Sequence, residues 1–430
     1  MVDTSLSGAP APAALRVPHP IRAVTQTTCC IVGAGPAGTL LALLLARRGI
    51  PVTLLEAHAD FDRDFRGDTV HPAIMEILDE IGLADRALAL PHRKIRQARP
   101  PGAGFDVNFN RLKTRFPFIT MLPQARFLEF LTAEAACYPA FRLVMGANVR
   151  ELVAEDGVVR GVRYQGQDGW YEVRALLTVG ADGRFSRVRS LAGLPPAITT
   201  AQPIDILWFR VSRWPSDPQG VQGRFGAGAG LIMLDRGERW QLGYILAKGG
   251  YQRLRAAGLD AFRQTLVQLM PWLADRTSEL EDWKQCALLS VASDFLPRWY
   301  RPGLLLIGDA AHVMSPLGGN GINYAVQDAV AAFNRLAEPL QVGQVTVHDL
   351  RAVQRRRAWP TRLTQAVVNA VQERVLTPAL TSRQPVAFPT LGRLLLGTPV
   401  LRDLPLRWLA FGLWPVHVKP DLRAAVPPRS

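Results

Sequence analysis

Gly33-Ala34-Gly35-Pro36-Ala37-Gly38 is the stretch that decides the fold of this 430-residue chain. It follows one apolar run and opens into a longer one, which is the pattern of a buried strand that turns into a helix. At such a turn Gly33 permits the tight bend, Gly35 lets a pyrophosphate approach the backbone, and Gly38 lets the helix pack close to the strand. The stretch therefore predicts a dinucleotide-binding site at the start of the helix.

A carboxylate at the expected distance supports this prediction. The apolar run of residues 52–55 ends in Glu56. A carboxylate about 20 residues after the glycines is where this kind of turn holds a ribose. We therefore expect Glu56 to accept hydrogen bonds from the adenosine ribose.

Two later segments also follow apolar runs. Residues 304–307 lead into Gly308 and Asp309, and so bring them to the edge of an open α/β sheet where ligands bind. Asp309 is expected to accept a hydrogen bond from a ribityl hydroxyl. The Gly-rich loop at residues 315–323 then runs into a helix, and its backbone amides are suited to stabilise negative charge on a flavin ring. Together the segments predict an FAD site.

In this order and spacing, the motifs resemble those of the class A flavoprotein aromatic hydroxylases, the fold group of p-hydroxybenzoate hydroxylase. The resemblance extends from about residue 26 to about residue 345. It implies that Ala181-Asp182-Gly183 contacts both FAD and the nicotinamide coenzyme, and that the loop from Pro316 to Asn323 lies along the isoalloxazine ring. The cofactor-binding residues expected from the motifs and the resemblance are Gly33, Gly35, Pro36, Ala37, Gly38, Glu56, Arg66, Gln124, Arg126, Asp182, Gly183, Gly308, Asp309, Pro316, Gly319, Gly321, Ile322 and Asn323.

Arg66, Gln124 and Arg126 are the weaker matches in this set. In relatives, such positions contact the flavin ring, the pyrophosphate or the ribityl chain. The chain is rich in arginine, and the alternative for Arg66 and Arg126 is a solvated position on the surface.

The resemblance implies an α/β fold, in which a Rossmann-like FAD-binding domain carries an inserted, mainly β substrate domain and a C-terminal helical region. Alternating apolar and polar residues in the middle of the chain support the second sheet, because they imply one buried face. The predicted boundaries are a flexible N-terminal tail at residues 1–25, a discontinuous FAD-binding domain at 26–90, 119–195 and 286–345, a substrate domain at 91–118 and 196–285, and a helical region at 346–430.

Four aromatic residues of the predicted substrate sheet are candidates for contact with the substrate: Trp208, Phe209, Trp240 and Tyr244. Their large, flat, apolar surfaces suit an aromatic ligand. Trp208 and Phe209 are neighbours in one strand and lie on opposite faces, so only one of them can face the flavin. The alternative for each of the four is packing in the core.

Composition limits the partners. The formal net charge of +14 comes mostly from arginine, and no basic run is interleaved with aromatic residues, so we expect no nucleic-acid partner. A positive field is suited to attract phosphate-bearing coenzymes and acidic or phenolate substrates. The four cysteines and the histidines lack metal-ligand spacing, so no metal is expected. His312 is expected to be a structural loop residue rather than a base.

Targeting signals are not recognisable in the sequence. No run reaches about 18 apolar residues, and residues 1–25 lack the features of a secretory signal, so a cytoplasmic protein without a membrane span is expected. The tail at residues 389–418 is expected to pack over the flavin domain, and the alternative is peripheral contact with a membrane surface. A monomer and a homodimer both stay open.

The resemblance implies an FAD-dependent monooxygenase that uses NADPH or NADH and O2 to hydroxylate an aromatic or polycyclic phenolic substrate through a flavin C4a-hydroperoxide. No catalytic side chain is identified, because the cofactor performs the difficult chemistry. The alternatives are an FAD-dependent reductase or dehydrogenase acting on an isoprenoid or quinone, a flavin-dependent halogenase relying on a separate reductase, and a flavoprotein that only binds or senses. The halogenase motif Trp-x-Trp-x-Ile-Pro is absent, and the intact Asp182-Gly183 argues against binding alone.

Overall fold

A mainly parallel sheet gathers the strands that precede the sequence motifs. The computed structural model describes residues 20–62, 68–98, 107–195, 198–218, 220–226, 228–381 and 403–424. Within these residues the strands are β1 (Ile21–Val32), β2 (Val52–Leu55), β3 (Thr69–Val70), β4 (Arg93–Ile95), β5 (Gln97–Ala98), β6 (Val107–Asn108), β7 (Ile119–Met121), β8 (Phe141–Val144), β9 (Asn148–Glu155), β10 (Val158–Gln165), β11 (Trp170–Gly180), β12 (Ile198–Ser212), β13 (Val221–Gly226), β14 (Ala229–Asp235), β15 (Arg239–Ala247), β16 (Ala287–Phe295), β17 (Tyr300–Arg301), β18 (Leu304–Leu306) and β19 (His312–Val313).

The helices cover the sheets and connect them. A π-helical turn, Gln372–Leu376, joins the ninth helix to the tenth. The helices of the same residues are α1 (Pro36–Arg47), α2 (Pro72–Glu80), α3 (Ala84–Leu88), α4 (Gln124–Ala136), α5 (Arg187–Leu191), α6 (Tyr251–Ala257), α7 (Leu259–Leu269), α8 (Asn320–Gln341), α9 (Val347–Val371), α10 (Thr377–Thr381) and α11 (Asp403–Phe411).

The first sheet has eight strands, in the order β17-β18-β11-β1-β2-β8, with β10 and β9 attached to β11. The central strands from β18 to β8 pair in parallel, whereas β17, β10 and β9 pair antiparallel. Helix α1 is apolar on nearly all sides, because it lies between this sheet and helices α4 and α8. This is the Rossmann-like arrangement that the sequence predicts, and the α/β fold class is confirmed.

Two glycines make the turn between β1 and α1 possible. Gly33 has a φ of +100°, and a Cβ there would lie 2.5 Å from the carbonyl oxygen of Ala181. A Cβ on Gly38 would overlap the carbonyl oxygen of Gly33. A Cβ on Gly35 would come no closer than 4.0 Å to the same oxygen of Ala181. Packing of the protein itself therefore requires Gly33 and Gly38, whereas Gly35 keeps its backbone open to a ligand.

The second sheet has six antiparallel strands, in the order β13-β14-β15-β12-β16-β19. Helix α7 packs on one face through Phe262 and Leu266. The opposite face carries Ile204 and Ile206, which pack with Leu380 of α10. Two separate apolar cores therefore lie on the two faces of one sheet.

Helices α9 and α11, near the C-terminus, pack onto the earlier elements of the protein. Helix α9 begins with a capping box, in which Thr346 and Asp349 bind each other's backbone amides. Helix α11 buries Leu406 and Ala410 in a small core that also holds Met121 of β7. Residues 403–411 therefore pack beside β4 and β7, and the expected position of the tail at residues 389–418, of which 389–402 lie outside the described residues, stays a prediction.

Two boundaries differ from the sequence prediction. Strand β1 begins at Ile21, inside the segment expected to be a flexible tail, because residues 21–27 pair with β11. The second sheet extends past residue 285, because β16 and β19 join it. The division into domains stays a prediction. In the part of the chain that the structure describes, each helix is too short or too polar to span a bilayer.

We expect Gly38→Ala to destabilise the FAD-free protein, because the new methyl group overlaps the backbone of Gly33. Overpacking of this kind lowers the free energy of unfolding by about 1–3 kcal/mol. Gly35→Ala is the matched control, since its methyl group has room. Thermal unfolding of both FAD-free variants beside the wild type is the measurement, and equal melting temperatures for the two variants would contradict the packing argument.

Candidate functional site

The strands that lead into the motifs end in register. Val32 of β1 pairs with Leu55 of β2 and with Gly180 of β11, and Gly180 pairs with Leu306 of β18. The amide of Gly33 donates to the carbonyl of Leu55 at 2.7 Å. The predicted motifs therefore meet at the carboxyl edge of the parallel strands, where open α/β sheets bind their ligands.

Glu56 is buried at this edge, directly behind the glycine turn. Its Oε2 accepts from the backbone amide of Ala34 at 2.9 Å, and its Oε1 accepts from the amide of His58 at 3.1 Å. The Nδ1 atom of His58 contacts the same Oε1 at 2.6 Å. These contacts fix the carboxylate beside the turn, at the position expected for a ribose contact.

Asp182 and Gly183 follow β11 and differ in what they face. The carboxylate of Asp182 turns toward α5, where the hydroxyl of Ser186 donates to one oxygen at 2.5 Å and the amide of Val188 to the other at 3.0 Å. Burial raises the pKa of Asp182, and these hydrogen bonds oppose that shift. Gly183 has a φ of +79°, and no described atom lies within 4 Å of its Cβ position. The side chain of Asp182 thus shapes the turn, and the backbone at Gly183 faces open space.

Gly308 brings the third motif against the first. A Cβ on Gly308 would lie 3.3 Å from the Cβ of Ala37 in α1 and 3.4 Å from that of Ala325 in α8. Its φ is +60°, and its amide donates to Asp328 at 3.0 Å. Asp309 follows half-buried at the sheet edge, at the position expected for a ribityl contact.

A buried charge cluster, which the sequence analysis missed, supports this turn. Asp328 accepts from Nε of Arg357 at 2.8 Å and contacts Nε2 of His312 at 2.6 Å, and all three side chains are at most 1% exposed. Burial alone would raise the pKa of Asp328, but the charges and hydrogen bonds of His312 and Arg357 hold it below its usual value. His312 therefore has a structural role, as expected from its place in the loop.

The loop before α8 places polar groups at the same edge. Gly318 and Gly319 have φ values of +77° and +66°, and Gly319 caps α8. Oδ1 of Asn320 and Nδ2 of Asn323 are buried without a hydrogen-bond partner among the described residues. No described atom lies within 4 Å of a Cβ on Gly321. Unpaired buried amides beside a helix N-terminus are suited to the edge of carbonyls and ring nitrogens of a flavin, so the residues present fit FAD.

For the other predicted cofactor residues, the structure shows only their position and burial. Pro316 and Ile322 are half-buried in the loop and in the first turn of α8. Pro36 occupies the first turn of α1, where proline is favoured, and Ala37 follows it, buried. Arg66 lies outside the described residues.

Comparison with known proteins identifies the family. The FAD binding domain family matches residues 26–367. A 6-methylpretetramide 4-monooxygenase of Streptomyces rimosus is 36% identical over 411 residues, which cover 94% of this chain and 97% of that protein. The chain belongs to the class A FAD-dependent aromatic hydroxylases.

Two further matches agree with this membership. A 12-dehydrotetracycline 5-monooxygenase/anhydrotetracycline 6-monooxygenase of Streptomyces rimosus is 30% identical over 335 residues, 70% of this chain and 60% of that protein. The solved structure of OxyS anhydrotetracycline hydroxylase from Streptomyces rimosus has the same fold, with a TM-score of 0.73 at 24% identity over 90% of this chain and 76% of that chain. The chain is thus an FAD-dependent monooxygenase.

In this monooxygenase, Gln124 and Arg126 lie at the start of α4. The amide of Gln124 donates to Asp68 at 2.9 Å. Arg126 is exposed and pairs with Glu129 at 3.3 Å, and its role as a cofactor contact stays a prediction. Asp68 also pairs with Arg236 in the turn between β14 and β15, and burial lowers the pKa of Arg236 to about 10. Asp68 therefore ties the start of α4 to the second sheet.

The structure corrects the prediction for three of the four aromatic residues. Phe209, Trp240 and Tyr244 are buried in the core between the second sheet and α7. The indole nitrogen of Trp240 donates to Asp217 at 2.8 Å inside that core. These three are core residues, which was the alternative. Trp208 lies on the opposite face, and its role as a substrate contact stays a prediction.

His71 is fully buried beside the Gly-rich loop at residues 315–323, called the flavin loop below. Its Nδ1 donates to the carbonyl of Leu409 at 2.9 Å, since a carbonyl can only accept. Its Nε2 lies 3.4 Å from the position of a Cβ on Gly319. Burial lowers the pKa of His71 to about 4, although nearby backbone groups act in the opposite direction. The ring is therefore neutral at pH 7.

We expect the monooxygenase to lose stability as the pH falls from about 6.5 to about 4. In that window the unfolded chain protonates His71, whose pKa has its ordinary value of 6.5 there, while the folded chain keeps it neutral with a pKa of about 4. Because the unfolded state binds the extra proton, unfolding becomes easier at lower pH, by about 3 kcal/mol over the whole window.

Thermal unfolding measured against pH checks this expectation. His71→Asn is the comparison variant, because its amide can still donate to the carbonyl of Leu409 but does not titrate. The variant should show a shallower loss of stability between pH 6.5 and pH 4. Identical pH dependence in the variant and the wild type would contradict the assignment.

Proposed function

We propose that the protein hydroxylates a polycyclic phenolic compound, with O2 and NADPH or NADH as co-substrates. The observation that carries the proposal is the meeting of the motifs at one sheet edge. The names of two relatives supply the substrate class, since one acts on 6-methylpretetramide and the other on 12-dehydrotetracycline and anhydrotetracycline. Both names indicate a polycyclic aromatic substrate.

The groups of the chain bind and orient the cofactor. The amides at the start of α1, after Gly35, would bind the pyrophosphate, and Glu56 would bind the ribose. Asp309 would bind the ribityl chain, and the loop from Pro316 to Asn323 would hold the ring. Bound in this way, FAD would supply the redox chemistry: hydride uptake from the coenzyme, insertion of one oxygen atom of O2 into the substrate and release of the other as water.

The substrate lies between the flavin and the second sheet. Trp208 supports this placement, because its indole N–H is buried without a hydrogen-bond partner in the described ranges. Its ring lies across Gly243, where a Cβ would come within 2.9 Å of the indole. An indole donor on an apolar wall orients an oxygen of an aromatic substrate and keeps water away from the reacting atoms.

The charge of the chain suits its co-substrates. A formal net charge of +14 attracts phosphate-bearing coenzymes and phenolate substrates over long distances. NADPH and NADH are available in the cytoplasm, so we place the reaction there, with the protein acting as a monomer or a homodimer.

We expect NADPH or NADH to bleach the protein-bound flavin in the absence of O2, and a polycyclic phenol to accelerate that bleaching many-fold. Aerobic incubation with labelled O2 should then place one labelled oxygen atom in the product. A single-ring benzoate is the matched control, and it should accelerate bleaching less.

The same experiment separates the alternatives. Rapid bleaching without a labelled product would indicate a reductase or dehydrogenase. Absence of bleaching with both coenzymes would indicate dependence on a separate reductase, as in halogenases. Either result would contradict the proposed function.

We expect Asp309→Ala to weaken FAD binding without unfolding the protein. Loss of a hydrogen bond from a hydroxyl to a carboxylate should raise the Kd for FAD about tenfold to hundredfold. Titration of the FAD-free protein by flavin fluorescence gives this Kd. Asp260→Ala is the control, because it removes an exposed carboxylate on α7, which carries none of the cofactor motifs. A wild-type Kd in Asp309→Ala would show that Asp309 does not contact FAD.

A further inference from the structure

The C-terminal segment from Trp408 to Val418 lies against the flavin loop. Leu409 places Cδ1 3.1 Å from the position of a Cβ on Gly318. Trp408 donates through Nε1 to the hydroxyl of Thr364 in α9 at 3.2 Å. The segment is therefore anchored on α9 and also touches the loop expected to lie along the flavin.

Gln327 joins this segment to α8, and it is 1% exposed. Its Nε2 donates to the carbonyl of Phe411 and to Oδ1 of Asn323, each at 3.0 Å. Its Oε1 accepts from the amide of Val416 at 3.2 Å and from Nη1 of Arg357 at 3.4 Å. Both hydrogens and both lone pairs of the side-chain amide are thus used.

The bond from Gln327 decides which end of the Asn323 amide is available. Because Oδ1 of Asn323 is held by an N–H of Gln327, its Nδ2 points elsewhere. That Nδ2 is the atom left unpaired in the described part of the chain. An Asn323 amide turned over would present an acceptor instead of a donor. Gln327 therefore fixes the polarity that Asn323 offers to a ligand.

We infer that Gln327 is a positioning residue for the flavin. It holds Asn323 so that Nδ2 donates to an acceptor atom of the isoalloxazine ring, and it couples this orientation to the backbone of residues 411–416. The inference rests on the proposed placement of FAD beside Asn323. The C-terminal segment then contributes to flavin binding through Gln327 without contacting the flavin itself.

Gln327→Met in the full-length chain tests the inference. Methionine has a similar shape, but it cannot donate to Asn323 or to the carbonyl of Phe411. We expect the Kd for FAD to rise about tenfold, as for loss of one buried hydrogen bond, and the visible absorption band of the bound flavin to shift. The double variant Gln327→Met/Asn323→Ala should have the Kd of Asn323→Ala alone, because Gln327 acts through Asn323.

Asn334→Leu is the matched control. Asn334 also bridges α8 to the C-terminal segment, because it donates to the carbonyl of His417 at 2.8 Å and accepts from the amide of Lys419 at 3.1 Å. It lies about two helical turns after Gln327, away from the flavin loop. We expect Asn334→Leu to lower the melting temperature and to leave both the Kd for FAD and the flavin spectrum unchanged.

Gly412→Ala provides a second route if Gln327→Met does not fold. Gly412 has a φ of +77°, and a Cβ there would lie 3.4 Å from Nε2 of Gln327 and from the hydroxyl of Tyr324. The methyl group meets Nε2 of Gln327 at the limit of ordinary van der Waals contact, so it presses on this side chain and removes no polar group. Its control is Gly343→Ala, which carries the same backbone strain at a φ of +75° with no described atom within 4 Å.

A raised Kd for FAD in Gln327→Met and Gly412→Ala, with a wild-type Kd in Asn334→Leu and Gly343→Ala, supports the inference. A wild-type Kd in Gln327→Met or in Asn323→Ala overturns it. Effects of Gln327→Met and Asn323→Ala that multiply in the double variant also overturn it. Failure of the wild type to hydroxylate polycyclic phenols would contradict the proposed function alone, because these measurements record FAD binding and not turnover.

Discussion

The contact between the first glycine turn and the end of β11 is the constraint on which the rest of the structure depends. Because Gly33 lies against Ala181, and Gly38 lies against Gly33, the first strand, the first helix and the second motif share one point in space. Gly308 packs against Ala37 of the same turn and adds the third motif. A side chain on Gly33 or Gly38 would separate segments that must meet at the cofactor. One packing requirement thus positions motifs that are far apart in the chain.

Buried charge holds the same edge from the other side. Asp328 binds the amide of Gly308, His312 and Arg357 in a region closed to solvent. Such a cluster adds little net stability, because the desolvation of the charges offsets most of their attraction. Its effect here is geometric: the turn after β18, helix α8 and helix α9 are held in one arrangement, since moving any of them would leave a buried charge unpaired.

The sequence predicts the features that depend on consecutive residues, and it misses those that depend on distant ones. A strand, a glycine turn and Glu56 form one local pattern, so the motifs and the α/β fold were predictable. The pairing of Asp328 with Arg357 joins two helices, and the start of β1 depends on β11, so neither follows from a local pattern. Alternation shows that Trp208 and Phe209 lie on opposite faces. Alternation does not reveal which of these two faces α7 covers, because that depends on packing between distant parts of the chain.

Helix α8 shows how the site and the core share one element. Its first turns carry Asn320, Asn323, Gln327 and Asp328, all at most 2% exposed, on the side that faces the motifs and the C-terminal segment. Apolar residues at these buried positions would be easier to accommodate, because each polar group there must find partners. The buried residues of the later turns are apolar, with Phe333 among those that are fully buried. The second half of α8 therefore stabilises the fold, and this stability lets the first half present polar groups whose positions suit a cofactor rather than a core.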